Sequence, residues 1–239
     1  MGKYTAIFFD LDGTLRANQP EGFQAFIEYA SRVGIALNAS QIEMCERAVH
    51  RYWADGAQVV DHLSRYDERG FWVNYNQILL QAMGVHAAED IAERIQDQFE
   101  HYEPQDVLFA DVPYVLSTLK SGGYTLGLVS NRDHELDTTA ERYGIRQYFQ
   151  FTLAGGQAQS FKPDAGIFRH ALQLAGSPPA HKVLYVGDNY YADIVGALNV
   201  GMAAVLIDPH DIFRKYYPRR IRSLAELLAL PELISPSHQ

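Results

Sequence analysis

The spacing of hydrophobic positions changes twice along the chain. Tyr4 to Phe9 is a short apolar run with aromatic and β-branched members, closed by Asp-Gly turn chemistry, and it predicts a buried strand. From about Asn18 to Tyr102 the apolar residues recur at helical spacing instead: Phe23, Phe26, Ile27 and Ala30, then Ile42, Cys45, Ala48 and Val49, then Trp72, Tyr75, Leu79 and Met83. Gly34 and Gly84 stand where such helices would stop. Beyond about Gln105 the pattern becomes strand, helix, strand. Asp111 with Pro113 predicts a helix start, and Gly122-Gly123 its end. Strands are predicted from Thr125 to Val129, Phe151 to Ala154, Val183 to Val186 and Ala203 to Ile207. Helices are predicted near Glu135 to Tyr143, Ala165 to Ala175 and Ala192 to Val200.

Strands alternating with helices imply an α/β fold with a parallel, doubly wound, Rossmann-like sheet, to which the first strand also belongs. The helical block then reads as an insertion. The expected division is a core of residues 1–17 and 105–239 with an α-helical cap of residues 18–104. Sheets of this kind bind ligands beyond the carboxyl ends of their strands, at the point where the strand order reverses. The polar residues at those ends are therefore the ones to examine.

Four segments answer. The first strand ends in Phe9-Asp10-Leu11-Asp12-Gly13-Thr14-Leu15, and the second in Val129-Ser130-Asn131. Lys162-Pro163-Asp164 precedes a helix, and Val186-Gly187-Asp188-Asn189 closes another strand, with Asp193 shortly after. Asp10 and Asp188 supply hard anionic oxygens, which suit Mg²⁺. Lys162 and Ser130 can hold phosphate oxygens, and Gly13 lets the backbone turn close to an anion. Phosphoryl transfer asks for little more than an in-line nucleophile, positioning and charge stabilisation.

These residues resemble the haloacid dehalogenase superfamily. Asp10-Leu11-Asp12-Gly13-Thr14-Leu15 is similar to its first signature, Ser130-Asn131 to the second, Lys162-Pro163 to the third, and Gly187-Asp188 with Asp193 to the fourth. Order and spacing agree from Ala6 to Asp208. The helical insertion resembles the small α-helical cap of the phosphoglycolate phosphatase and β-phosphoglucomutase type. The resemblance implies that Asp10 attacks phosphorus and becomes an aspartyl phosphate, and that Asp12 serves as acid and then base. It implies Mg²⁺ held by Asp10, Asp188 and the main-chain carbonyl of Asp12, with Asp193 orienting a metal-bound water or Lys162. Lys162, Ser130 and Asn131 would hold the phosphoryl group. Dehalogenases lack an acid two residues after the nucleophile, so Asp12 points to a phosphate ester. Two residues depart from the family pattern. Ala165 stands where a second proline often follows. Arg16 replaces a small or apolar residue at the junction of core and cap, where a guanidinium can pair with a second phosphate or a carboxylate of the substrate.

Composition narrows the setting. Apolar residues make up 47% and charged residues 21% of the 239-residue chain, ordinary values for a globular protein. The net charge of −9 argues against a broad nucleic-acid surface while leaving room for a small phosphorylated metabolite. Cys45 is the single cysteine, so no intrachain disulfide can form, and its place on an apolar helix face reads as a structural thiol. No charged-then-apolar leader opens the sequence and no apolar run is long enough for a bilayer, so a cytoplasmic protein without membrane association is expected. The resulting expectation is Mg²⁺-dependent hydrolysis of a small phosphate monoester. The rivals are a phosphomutase on the same core, a dehalogenase, and a non-catalytic phospho-accepting module. The last would need neither a cap nor Asp12.

Overall fold

A computed structural model of the chain describes residues 3–85 and 89–233. The backbone divides into two compact units, one of Met1–Ala17 with Leu108–Gln239 and the other of Asn18–Val107. The chain begins with β1 (Ala6–Phe9) and β2 (Arg16–Gln19). A helical stretch follows: α1 (Gly22–Arg32), α2 (Ala39–Ala54), α3 (Gly56–Arg65), α4 (Glu68–Ala82) and α5 (Glu89–Phe99). Next comes β3 (Gln105–Leu108), which pairs with β2. The remainder alternates: α6 (Val112–Ser121), β4 (Thr125–Ser130), α7 (Asp137–Arg142), β5 (Phe151–Ala154), α8 (Gly155–Ala158) and α9 (Ala165–Leu174). It finishes with β6 (Val183–Gly187), α10 (Gly196–Asn199), β7 (Ala203–Ile207) and β8 (Arg220–Ile221).

Six strands form one sheet in the order β5-β4-β1-β6-β7-β8, every pairing parallel. A parallel sheet is stable only with both faces covered, and β1 and β6 are buried at every position. The two-residue period of a strand sorts their side chains into two cores. Ile7 and Phe9 join Leu126, Leu128, Leu184 and Val186 on one side; Ala6 and Phe8 join Val129, Tyr185, Ala204 and Leu206 on the other. Burying a side chain such as Phe8 or Leu128 contributes roughly 1.5–3 kcal/mol, so a one-residue slip of β1 would forfeit several such contributions at once. Register is therefore fixed, with Phe9 level with Leu128 and Val186. Winding runs from β1 outward through β4 to β5, and then β6 returns on the opposite side of β1. The reversal thus falls at the carboxyl end of β1.

Two details differ from the sequence pattern. The single helix expected from Ala192 to Val200 is instead a π-helical turn, Tyr190–Val195, running into α10. The Asn189 side chain accepts from both the Tyr191 and Ala192 amides, and this local capping starts the helix early and widens its first turn. The sheet also continues past β7 into β8, a two-residue strand too short to produce a periodic signal.

The helical unit has its own core, in which Phe26, Ala30, Cys45, Tyr52, Tyr75, Leu79 and Met83 are buried together. Burial, and after it the charge of Glu46, pushes the Cys45 thiol up to about 12, as suits a structural residue. Trp72 falls on the predicted helix stripe but keeps 38% of its surface exposed. With Trp53, Tyr75, Asn76, Phe99 and Tyr102 it lines a cavity of about 870 Å³. Among the described residues, no helix is long and apolar enough to cross a membrane.

Candidate active site

Asp10 follows β1 directly, and its amide still bonds the Val186 carbonyl at 2.9 Å, so the end of the strand itself aims the side chain. Ser130 is the last residue of β4, and Asp188 follows β6. The fixed register sets these three on one edge of the sheet. Beyond Asp10 the chain turns sharply. Gly13 adopts φ +79°, and a Cβ there would lie 2.3 Å from Asp188 Oδ2, so only glycine fits this approach. The turn is closed by Gly13 N–H to Arg16 O at 2.8 Å, which carries Arg16 back beside Asp12.

Lys162 is the hub of the buried part. Its Nζ donates to Asp10 Oδ1 and to Asp193 Oδ1, both at 2.6 Å, and to the Val129 carbonyl at 3.4 Å. All three side chains are buried. Burial alone would lower the ammonium, but the charges of Asp10 and Asp193 outweigh it and keep Lys162 protonated. Asn131 brackets the Lys162 backbone, donating from Nδ2 to its carbonyl at 2.9 Å and accepting from its amide at 2.6 Å. The Asn131 side chain thus positions the lysine. Asp193 has both oxygens engaged, by Lys162 Nζ and by the Asn189 amide at 2.9 Å.

Carboxylate oxygens of Asp10, Asp188 and Asp193 lie within 4.8 Å of one another. Burial raises Asp10 to about 7 despite the pull of Lys162, with Asp193 and Asp12 adding to the rise. Burial, then the charges of Asp10 and Asp193, raises Asp188 well above the carboxylate range. Hard oxygens crowded this closely, buried at Asp10 and Asp193 and half-buried at Asp188, are a donor set that suits a divalent cation, since its charge removes their mutual repulsion. Thr14 donates to Asp188 Oδ1 at 3.2 Å and lies 3.4 Å from Asp10 Oδ2, spanning the two.

Asp12 stands apart from this cluster. Arg132 donates to it twice, Nε to Oδ2 at 2.8 Å and Nη2 to Oδ1 at 2.7 Å, and Arg16 Nη1 reaches Oδ1 at 2.8 Å. Burial would raise the Asp12 carboxyl, but Arg132 and then Arg16 outweigh it and hold it below the usual range. Of the residues expected from the sequence, Asp10, Lys162, Asp188 and Asp193 are brought together, whereas Asp12 and Arg16 pair with Arg132 and the Ser130 hydroxyl accepts from the Arg132 amide at 3.4 Å. Sequence reasoning missed Thr14, although it lies within the Asp10-Leu11-Asp12-Gly13-Thr14-Leu15 segment. It also missed Arg132, whose only signal was its place directly after Ser130-Asn131. Tyr185 went unnoticed because it reads as core; its hydroxyl bonds the Val129 carbonyl at 3.2 Å beneath Lys162.

Comparison with known proteins addresses family and fold. A family model of haloacid dehalogenase-like hydrolases matches residues 4–201. Human haloacid dehalogenase-like hydrolase domain-containing protein 3 is 29% identical over 231 residues, covering 91% of this chain and 89% of that protein. Human N-acylneuraminate-9-phosphatase is 25% identical over 98% of this chain and 95% of its own length. The crystal structure of a predicted phosphoglycolate phosphatase from Haemophilus somnus superposes with a TM-score of 0.59 at 23% identity, covering 96% of this chain and 98% of that one, and is alike in fold.

Proposed function

This chain belongs to the haloacid dehalogenase-like hydrolases, and from that premise we propose that it hydrolyses small-molecule phosphate monoesters with Mg²⁺, through a phosphoryl group carried on Asp10. The observation that carries the reading is the Asp10–Lys162 pair at the carboxyl end of β1, with a second carboxylate, Asp12, two residues on and outside the buried cluster. The human N-acylneuraminate-9-phosphatase is a relative whose name states a phosphatase activity, and it supports the same class.

In the first step a carboxylate oxygen of Asp10 bonds to phosphorus while the bond from phosphorus to the ester oxygen breaks. Asp12, protonated once the Arg132 and Arg16 contacts that hold its carboxyl low are released, delivers that proton to the oxygen, and the alcohol leaves. In the second step Asp12, now a carboxylate, takes a proton from water as the water oxygen attacks phosphorus, and Asp10 is released with inorganic phosphate. Lys162 holds Asp10 in line and offsets charge on the phosphoryl oxygens, with Ser130 and the Asn131 main-chain N–H alongside. Mg²⁺ held by Asp10, Asp188 and the Asp12 main-chain carbonyl would offset the charge that otherwise repels a phosphate dianion from Asp10. A cytoplasmic setting and a small phosphorylated metabolite as partner belong to the same proposal.

The test is phosphate release from p-nitrophenyl phosphate and a panel of small phosphate esters. Release should require Mg²⁺, stop with EDTA and return when Mg²⁺ is restored. No release from any ester would overturn the phosphatase reading, and conversion of a sugar phosphate without net release would replace it with a mutase. Asp12→Asn provides a finer check. Alcohol release in the first turnover should fall by about 10²–10⁴-fold for an alkyl phosphate. The loss should be at least tenfold smaller for p-nitrophenyl phosphate, whose leaving group needs little protonation. Equal losses would count against Asp12 as the acid.

A further inference from the structure

Asp12 is the point on which two guanidiniums converge. Arg132 lies along one edge of its carboxylate with paired contacts of 2.8 and 2.7 Å, and Arg16 adds a third at 2.8 Å. The paired contact is the fork geometry in which a guanidinium takes carboxylates and phosphates generally. For Asp12 to serve the ester oxygen, one of its own oxygens must face that oxygen. Both are engaged here, and guanidinium N–H groups only donate. Turnover therefore requires the fork to leave at least one Asp12 oxygen. A guanidinium that gives up one oxyanion in a partly desolvated cleft does so readily only if another takes its place.

We infer that Arg132 and Arg16 form an anion clamp for a second oxyanion on the alcohol side of the substrate, for which the Asp12 carboxylate and the substrate compete. The preferred esters then carry a carboxylate or a second phosphate on the leaving group, and recognition of that group frees Asp12 for the ester oxygen. This rests on the proposed function, because it takes Asp12 to be the residue beside the leaving oxygen. Access is consistent with the role: the Asp12 and Arg132 side chains keep 40% and 34% of their surface exposed, while Arg16 keeps 11% and backs the clamp. Donors within hydrogen-bond reach of Asp12 stand a few ångströms from the ester oxygen, so a spacer of roughly two or three carbons fits between ester and anion.

The experiment compares 3-phosphooxypropanoate with propyl phosphate, a pair differing only in carboxylate for methyl, using the full chain with Mg²⁺. Ethane-1,2-diol bisphosphate serves as the phosphate arm. At least one arm with the second anionic group should exceed propyl phosphate in kcat/KM by roughly 10–100-fold, the range of charge-assisted hydrogen bonds. Arg132→Met should shrink that ratio by at least tenfold, chiefly through KM of the preferred ester, and Arg132→Lys should restore part of it. The Arg16→Met variant provides the same reading if the first variant folds poorly. Absence of any preference in the wild-type protein would overturn the clamp. So would equal losses on both esters in the variant, which would mean the arginines merely orient Asp12. Binding of the same esters to Asp10→Asn, measured by calorimetry, reads the preference without turnover. If no ester is hydrolysed, the phosphatase reading falls while this measurement still decides the clamp.

Discussion

Asp10→Asn is expected to abolish ester hydrolysis, by roughly 10⁴-fold or more in kcat, while leaving the fold intact. The amide keeps the shape of the side chain but cannot form the acyl phosphate. Stability should change little, because burial already strains the Asp10 carboxyl towards its protonated form, up to about 7, and an amide carries no charge to desolvate. Lys162 keeps its bond to Asp193 at 2.6 Å in this variant, so no ammonium is orphaned. Kinetics and a thermal melt on the same preparation check both halves. Turnover within tenfold of wild type would remove Asp10 as the nucleophile. A melt collapsed by many degrees would mean that the Asp10–Lys162 pair is primarily structural.

Lys162→Met is expected to fail in both respects. The ammonium is the counter-charge to two buried carboxylates, Asp10 and Asp193, each 2.6 Å away. Removing one partner of a buried ion pair costs about 3–5 kcal/mol, because the remaining charge has lost water without gaining anything. For a chain of this size that corresponds to a fall in melting temperature of roughly 6–20 °C. The measurement belongs in EDTA, where no divalent cation stands in for the lost charge. Mg²⁺ should then recover part of the stability. Activity should fall by about 10²–10³-fold even in Mg²⁺, since one fixed donor to the reacting group is missing. A variant that melts like wild type in EDTA would show that the carboxylates shed their charge at little cost, and the lysine would be catalytic rather than structural.

These two residues differ in how far the sequence exposed them. Asp10 was legible because an apolar strand followed by Asp-x-Asp-Gly is a local pattern, and β1 is buried throughout as that pattern requires. Lys162 alone resembled a solvated loop residue, and only its order among the other segments singled it out. What the sequence could not express is that Lys162 is 3% exposed and clamped between two acids that lie 152 and 31 residues away along the chain. Asp193 shows the same limit. Resemblance assigns it an orienting role, but its two engaged oxygens depend on the π-helical turn that Asn189 starts.

Local spacing determined the strand and helix alternation, the helical insertion, and the presence of acidic and hydroxyl residues at or just beyond the strand ends. It could do so because the two-residue and 3.6-residue periods are properties of short segments, and both faces of a parallel sheet must be apolar. Tertiary structure decided which strands are neighbours, and so which strand ends meet at the reversal beside β1. It also turned Arg132 onto Asp12, 120 residues away, and made Thr14 a bridge between Asp10 and Asp188. Contacts of this kind join segments that have no periodic relation to one another. Their partners, and the charge balance they impose on Asp12 and Lys162, come into being only when the sheet closes and takes its water away.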